Sequence, residues 1–150
     1  MKAVVQRVSQ ATLTVDGQVR AEVPASGGLV VLVGLDESDK ADDRVWMADK
    51  VANLRIFPDE AGKMNKSVIE MEGTILLVPN FTVAGDARKG RRPSFDRAMK
   101  PERAEPEFEA LVEAVRAICP NVSRGVFRAH MHVALVNDGP VTILLDSRAP

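Results

Sequence analysis

Four stretches of the chain carry side chains able to do chemistry. His130-Met131-His132 puts two imidazoles on one side of an extended segment, the spacing by which a strand offers two ligands to a metal. A catalytic zinc needs a third protein ligand, and no nearby Cys or suitably spaced acid supplies one, so a surface histidine pair is the better reading. Pro79-Asn80-Phe81-Thr82 ends an apolar strand and leads into a stretch dense in cations, where Arg88, Lys89, Arg91, Arg92, Arg97, Lys100 and Arg103 stand against Asp96 and Glu102. Asn137-Asp138-Gly139-Pro140-Val141-Thr142 reads as a turn between two strands. A Ser-His-Asp triad has no Gly-x-Ser-x-Gly elbow to start from, and Gly27-Gly28 runs into a strand instead of opening a helix, which excludes a phosphate loop. Thr82 as a nucleophile needs a base within hydrogen-bond reach, and none is evident.

Charge says more than total composition. The 150 residues carry a net charge of -1, yet the seven cations and two anions from Arg88 to Arg103 make that stretch +5 and leave -6 for the rest. A basic loop on an acidic body fits an anionic partner gripped at one place; the competing reading is a solvated loop. With no Tyr, one Trp and five Phe, a platform for stacking several single-stranded bases is hard to build. The longest apolar run, Leu29 to Leu35, is far short of the roughly 20 residues of a membrane helix, and Met1 to Arg7 has no signal-peptide hydrophobic stretch. Membrane insertion and secretion are therefore disfavoured. The single Cys119 forms no internal disulfide, suits the reducing cytosol, and reads as a small buried hydrophobe at a helix end.

These groups need a scaffold, and the patterning describes one α/β domain with a largely β body and two main helices. At this length, burial of roughly 68–70% of the unfolded surface supplies a core without disulfides or metal. Strands are expected at Val4–Val8, Ala11–Val15 and, after an Asp16-Gly17 hairpin turn, Val19–Val23. Leu29–Val33 reads as a central buried strand. A helix capped by Ser38 is expected from Asp39 to about Leu54, with Val45, Ala48, Val51 and Ala52 inside. Arg55–Phe57 and Thr74–Val78 follow as strands, with an irregular segment from Asn80 to Met99 of the kind usually reserved for function. A second helix is expected from Pro101 to Ile118, with Phe108, Leu111, Val112, Val115 and Ile118 on one face, and strands at Val122–Phe127, Met131–Asn137 and Val141–Leu145.

Five segments, in order, resemble the D-aminoacyl-tRNA deacylase family: Met1–Val8, Leu54–Phe57, Gly62–Asn65, Arg88–Phe95 and Leu135–Thr142. The resemblance spans nearly the whole chain. It implies a single deacylase domain over residues 1–150, a three-layer fold, a homodimer and a cytoplasmic editing hydrolase without cofactor or metal. The implied partner is aminoacyl-tRNA, with no DNA and no membrane. The implied reaction cleaves the ester between a D-amino acid and the 3′-terminal adenosine of tRNA, and removes glycine mischarged on tRNA-Ala.

By the same resemblance, Phe81 and Thr82 fall in the catalytic motif, where the family has Ser-Gln-x-Thr and this chain has Pro79-Asn80 in place of Ser-Gln. Gly139 and Pro140 match a cis-proline motif that reaches into the partner subunit's pocket and rejects L-aminoacyl substrates; Arg7 matches the arginine that orients it. Arg88, Lys89, Arg91 and Arg92 are expected on tRNA phosphates, and Arg128 stands where the family usually has Gly. The implied mechanism uses the substrate's 2′-hydroxyl to help activate water, the protein supplying orientation and backbone hydrogen bonds to the oxyanion. Two alternatives stay open: a noncatalytic tRNA-binding relative, and a paralogous editor of different chirality with a trans Gly139-Pro140 bond.

Overall fold

The computed structural model describes residues 1–148. Strand β1 (Lys2–Val15) turns through Asp16-Gly17 into β2 (Gln18–Val23). Both turn residues have positive φ, 51° and 74°, the geometry whose twist matches a two-residue hairpin. Then come β3 (Gly28–Gly34), α1 (Ala41–Asn53), the small hairpin β4 (Phe57–Pro58) and β5 (Met64–Lys66), and β6 (Thr74–Pro79). A short 3-10 turn (Phe81–Ala84), α2 (Pro101–Arg116), β7 (Val122–Arg124) and β8 (His132–Asp146) complete the order.

Strands β3, β6 and β7 lie side by side and parallel. The first half of β1 runs antiparallel to β3 over Lys2–Val8, and its second half pairs with β2 over Ala11–Val15. Along its other edge β1 is paired with β8 from Lys2 to Thr14. An extra β1 residue between Val8 and Gln10 bulges in this ladder and bends the strand, so one sheet supplies two layers.

The alternation along β3 assigns its two faces. Leu29, Val31 and Val33 join Ile75 and Leu77 of β6 beneath Met47 and Val51 of α1 and Phe108, Leu111 and Val112 of α2. Val30 with Leu76 and Val78 faces the other way onto Val8, Leu13 and Val23, where Met131, Val133 and Leu135 pack from the β8 side. The layers are thus helices, central strands and a returning β layer, in agreement with the α/β reading. Cys119 is 1% exposed, as expected of a small hydrophobe.

Several element boundaries differ from the sequence expectation. The four strands expected at Val4–Val8, Ala11–Val15, Met131–Asn137 and Val141–Leu145 are two, because β1 and β8 pair with each other across their irregularities. Arg55–Phe57 shortens to Phe57–Pro58, which pairs with Met64–Lys66, and Val122–Phe127 shortens to β7. Ser38 does not cap α1: its N–H and hydroxyl both donate to Asp36 Oδ1, at 3.0 and 2.5 Å. Asp39 turns inward to the Met1 amino group, both fully buried, while Asp43 Oδ2 accepts the Lys40 N–H at 2.8 Å and does the capping. Burial of α1 begins only at Met47, leaving Val45 63% exposed. Helix α2 ends at Arg116, so Ile118 falls out of phase with Val115 and is 38% exposed.

Asp43 also closes the seam between α1 and the end of β8. Ser147 Oγ donates to its Oδ1 at 2.6 Å, and Arg148 Nη2 lies 3.1 Å from its Oδ2. The Arg148 guanidinium, followed by the Ser147 hydroxyl, holds the Asp43 carboxyl well below the usual carboxylate range, against the desolvation of its partial burial. A carboxylate depressed in this way stabilises the fold above its unfolded pKa of about 3.9, and the contribution disappears as pH falls through the folded value. Asp43→Asn is therefore expected to lower the Tm at neutral pH and to lose less stability than the parent between about pH 5 and pH 2, as followed by urea unfolding across that range.

Candidate functional site

The parallel strands β3, β6 and β7 deliver the chain to one end of the sheet, and a cavity of about 850 Å³ opens there. Val33 and Leu35 wall it at the end of β3, Pro79, Asn80 and Phe81 at the end of β6, and Phe127 and Arg128 beyond β7. Ligands of parallel sheets sit outside the carboxyl ends of the strands, and this volume is that of a small-molecule site. The walls are apolar and aromatic, with Phe81, Phe95, Phe108 and Phe127 contributing rings. The basic lining residues are Lys100, Arg128 and His130, and none of the lining residues is acidic.

Asn80 organises the turn after β6. Its N–H donates to Val33 O at 2.8 Å, which ties the turn to β3. Its Oδ1 accepts the Thr82 N–H at 3.3 Å and the Thr82 hydroxyl at 2.6 Å. The Thr82 hydroxyl is therefore engaged as a donor to an amide oxygen, and among the described residues it donates to no carboxylate or imidazole. Phe81 opens the turn, where N–H groups lack intrahelical acceptors. The residue is 61% exposed, and its ring meets Phe95 edge-on with centroids 5.2 Å apart. Phe81 lines the cavity and Thr82 does not.

Arg7 belongs to a different constellation. Gln6 pairs with Thr142 and Val8 with Asn137, so β8 is longer than its partner at this point and Asp138–Val141 loops out opposite Arg7. The Arg7 side chain, 11% exposed, fills the gap. Its Nε donates to Asp138 O at 3.0 Å and its Nη1 to Ile56 O at 2.6 Å. Asn137 closes the base of the loop: its Oδ1 accepts the Val141 N–H at 2.7 Å and its Nδ2 donates to Thr142 Oγ1 at 3.1 Å. The Gly139-Pro140 bond at the tip is cis, and both residues are exposed. Arg7, Gly139 and Pro140 are thus together, but none of them lines the cavity of their own chain.

The basic loop is pinned by a bridge between Asp86 and Ser94. Arg88 grips Asp86 through Nε at 2.9 Å and Nη2 at 2.5 Å, which keeps that carboxyl well below the usual range. Lys89, Arg91 and Arg92 are exposed. His130 and His132 are exposed with rings 5.0 Å apart, and no group of three metal-ligating side chains occurs among the described residues. Phe127 and Met99 escaped sequence reasoning as cavity walls because nothing local marks them. Phe95 was within the Arg88–Phe95 motif, and Arg128 was visible only as a departure from a glycine.

Gly139 sits at φ +138°, and a Cβ there would lie 2.7 Å from Val141 Cγ2 and 3.2 Å from Arg7 Nη2. Gly139→Ala is expected to cost about 1–3 kcal/mol through that conformation and crowding. In a double-mutant cycle with Arg7→Ala, the two costs should fail to add by more than about 0.5 kcal/mol, because both changes act on one loop. Additive losses in denaturant unfolding would show that Arg7 and Gly139 are independent.

The chain matches the D-Tyr-tRNA(Tyr) deacylase family over residues 4–146. A D-aminoacyl-tRNA deacylase of Kosmotoga olearia is 53% identical over 148 residues, covering 99% of this chain and 98% of that one. One of Symbiobacterium thermophilum is 52% identical over 147 residues, covering 98% and 96%. Among solved structures, the c-Myc DNA Unwinding Element Binding Protein superposes with a TM-score of 0.94 at 40% identity, covering 99% of this chain and 100% of that chain. Since the match runs unbroken through the sheet, both helices, the Asn80–Thr82 turn, the basic loop and the Arg7-held loop, the chain belongs to the D-Tyr-tRNA(Tyr) deacylase family.

Proposed function

We propose that this protein is an aminoacyl-tRNA editing hydrolase, acting through one domain over residues 1–150. It cleaves the ester of D-aminoacyl-tRNA, and of glycyl-tRNA mischarged on tRNA-Ala, to free amino acid and tRNA. The observation that carries this reading is the acid-free aromatic cavity at the ends of the parallel strands, with Phe81, the first residue of the turn after β6, in its wall. The cavity suits a terminal adenosine, and the backbone N–H of Phe81 offers a donor to the oxyanion that forms when water attacks the ester carbonyl. The substrate's 2′-hydroxyl, next to the scissile ester, assists the attacking water and the departing 3′ oxygen. Thr82 orients and does not attack, since its hydroxyl already donates to Asn80.

Strand β8 supports a homodimer. It is 15 residues long, pairs with β1 alone, and exposes Val136 at 49% and Leu144 at 77%. A long apolar strand with an unpaired edge recruits another strand, and a second copy does so with two-fold symmetry. In such a dimer each exposed Gly139-Pro140 tip meets the partner's cavity, where a backbone wall leaves no room for an L side chain and admits a D side chain or none. Arg88, Lys89, Arg91 and Arg92 hold tRNA phosphates. The setting is the cytoplasm, with no DNA or membrane partner; among the described residues no helix is long and apolar enough to cross a membrane.

Deacylation of matched D-, L- and glycyl-tRNA by the purified protein tests the reaction and its selectivity together. D-aminoacyl and glycyl esters are expected to be cleaved and L-aminoacyl esters spared. Thr82→Ala is expected to retain turnover within about tenfold, while a 2′-deoxy terminal adenosine loses several orders of magnitude. Binding of tRNA without release of amino acid would favour a noncatalytic relative.

The dimer has its own test. Leu144→Lys together with Val136→Lys is expected to give a monomer by sedimentation, with selectivity against L-aminoacyl-tRNA lost alongside. A double variant that stays dimeric and selective would remove β8 from the interface.

A further inference from the structure

The backbone of Arg128 is in the left-handed region, with φ +63°. A non-glycine residue is disfavoured there, and such residues cluster at ligand clamps and active sites. Arg128 stands just past the end of β7, in the wall of the 850 Å³ cavity, with its side chain exposed. The arginines at 7, 44, 88, 97, 103, 116, 124 and 148 each pair with a carboxylate. Arg20, Arg55, Arg91, Arg92 and Arg128 pair with none among the described residues, and of these Arg128 alone lines the cavity, whose lining contains no Asp or Glu. The cavity therefore combines aromatic walls for a flat apolar group with an uncommitted guanidinium for an anion.

An esterified aminoacyl group has no free α-carboxylate, and its amine is repelled by a cation. The nearest anion on an aminoacyl-adenosine terminus is the phosphodiester on the 5′ side of that adenosine. We propose that Arg128 is a substrate-positioning residue that binds this phosphate while the adenine occupies the cavity, which rests on the editing-hydrolase reading above. The guanidinium offers two parallel N–H donors to phosphate oxygens, so it fixes the distance between base and backbone as well as adding affinity. Lys100, on the same lining, adds a second positive charge without that geometry.

Calorimetric titration of the full-length protein with AMP and with adenosine tests the assignment without requiring turnover. The parent is expected to bind AMP about tenfold more tightly than adenosine. Arg128→Gly, which suits the left-handed backbone and keeps the fold, is expected to bring the two affinities together, and Arg128→Lys to restore part of the difference. Inorganic phosphate alone is expected to bind the parent no better than Arg128→Gly; tight Arg128-dependent binding of phosphate by itself would overturn the coupling to adenosine. An AMP preference equal in the parent and Arg128→Gly overturns the proposal. A parent that prefers AMP through Arg128 yet cleaves no D-aminoacyl-tRNA overturns the editing reading and sustains the phosphate contact. A parent that cleaves D-aminoacyl-tRNA without that preference does the reverse.

Discussion

Strand β8 carries more residues than the stretch of β1 it must pair with, and much of the architecture follows from that mismatch. Antiparallel pairing allows only two outcomes for surplus residues, a shifted register or a loop out of the ladder. A shifted register would turn Met131, Val133 and Leu135 away from the second core cluster, which they pack against. The surplus is therefore ejected at Asp138–Val141, and Arg7 occupies the space it leaves, donating to the carbonyl of Asp138 in the ejected loop and to that of Ile56 just before β4. An arginine suits this position because its planar donors reach two carbonyls in different directions while its alkyl stem stays in the sheet.

The cavity arises from a separate constraint. Parallel strands need crossovers, and these put helices on one face while every strand ends on the same side. At that end the chain must leave β3, β6 and β7 at once, so the segments after them diverge and leave a hollow walled by what the strands last buried. Its apolar character is the core continuing to the surface. The polar groups come from the diverging segments themselves: Asn80 folds back over Thr82, and Arg128 stands at the edge in a conformation the backbone does not favour.

These two constructions are spatially distinct within one chain, and the division has a chemical meaning. In the proposed reaction the hollow binds the ester and the Phe81 N–H polarises it without a general base, since a preorganised backbone dipole costs nothing to reorient when charge develops. The looped-out tip, held from behind by Arg7 and exposed in front, has in that proposal the role of excluding. A reaction whose nucleophile is water and whose assisting hydroxyl belongs to the substrate asks the protein for little beyond positioning and exclusion.

Much of this was legible in the residues alone. The Asp16-Gly17 turn, the two-faced β3, the apolar stripe of α2 from Phe108 to Val115 and the interior position of Cys119 follow from patterns that repeat within a few residues. The five motif segments likewise announce themselves in order along the chain. Boundaries were less accessible: Ser38 has the chemistry of a helix cap, but Asp36 captured it and Asp43 took the role, a competition among acids close in sequence whose winner depends on where Asp39 is buried. The continuity of β1 and β8 was hidden because Ser9-Gln10 and Asp138-Gly139 look like breaks, and only pairing between the two ends of the chain carries the strands through them. The meeting of Arg7 with Asp138, and of Phe81 with Phe127 and Arg128 around one cavity, was decided by tertiary structure for the same reason. Local propensity reaches a turn or two along the chain, whereas register and strand order are set by the summed burial of whole faces, a quantity no single segment contains.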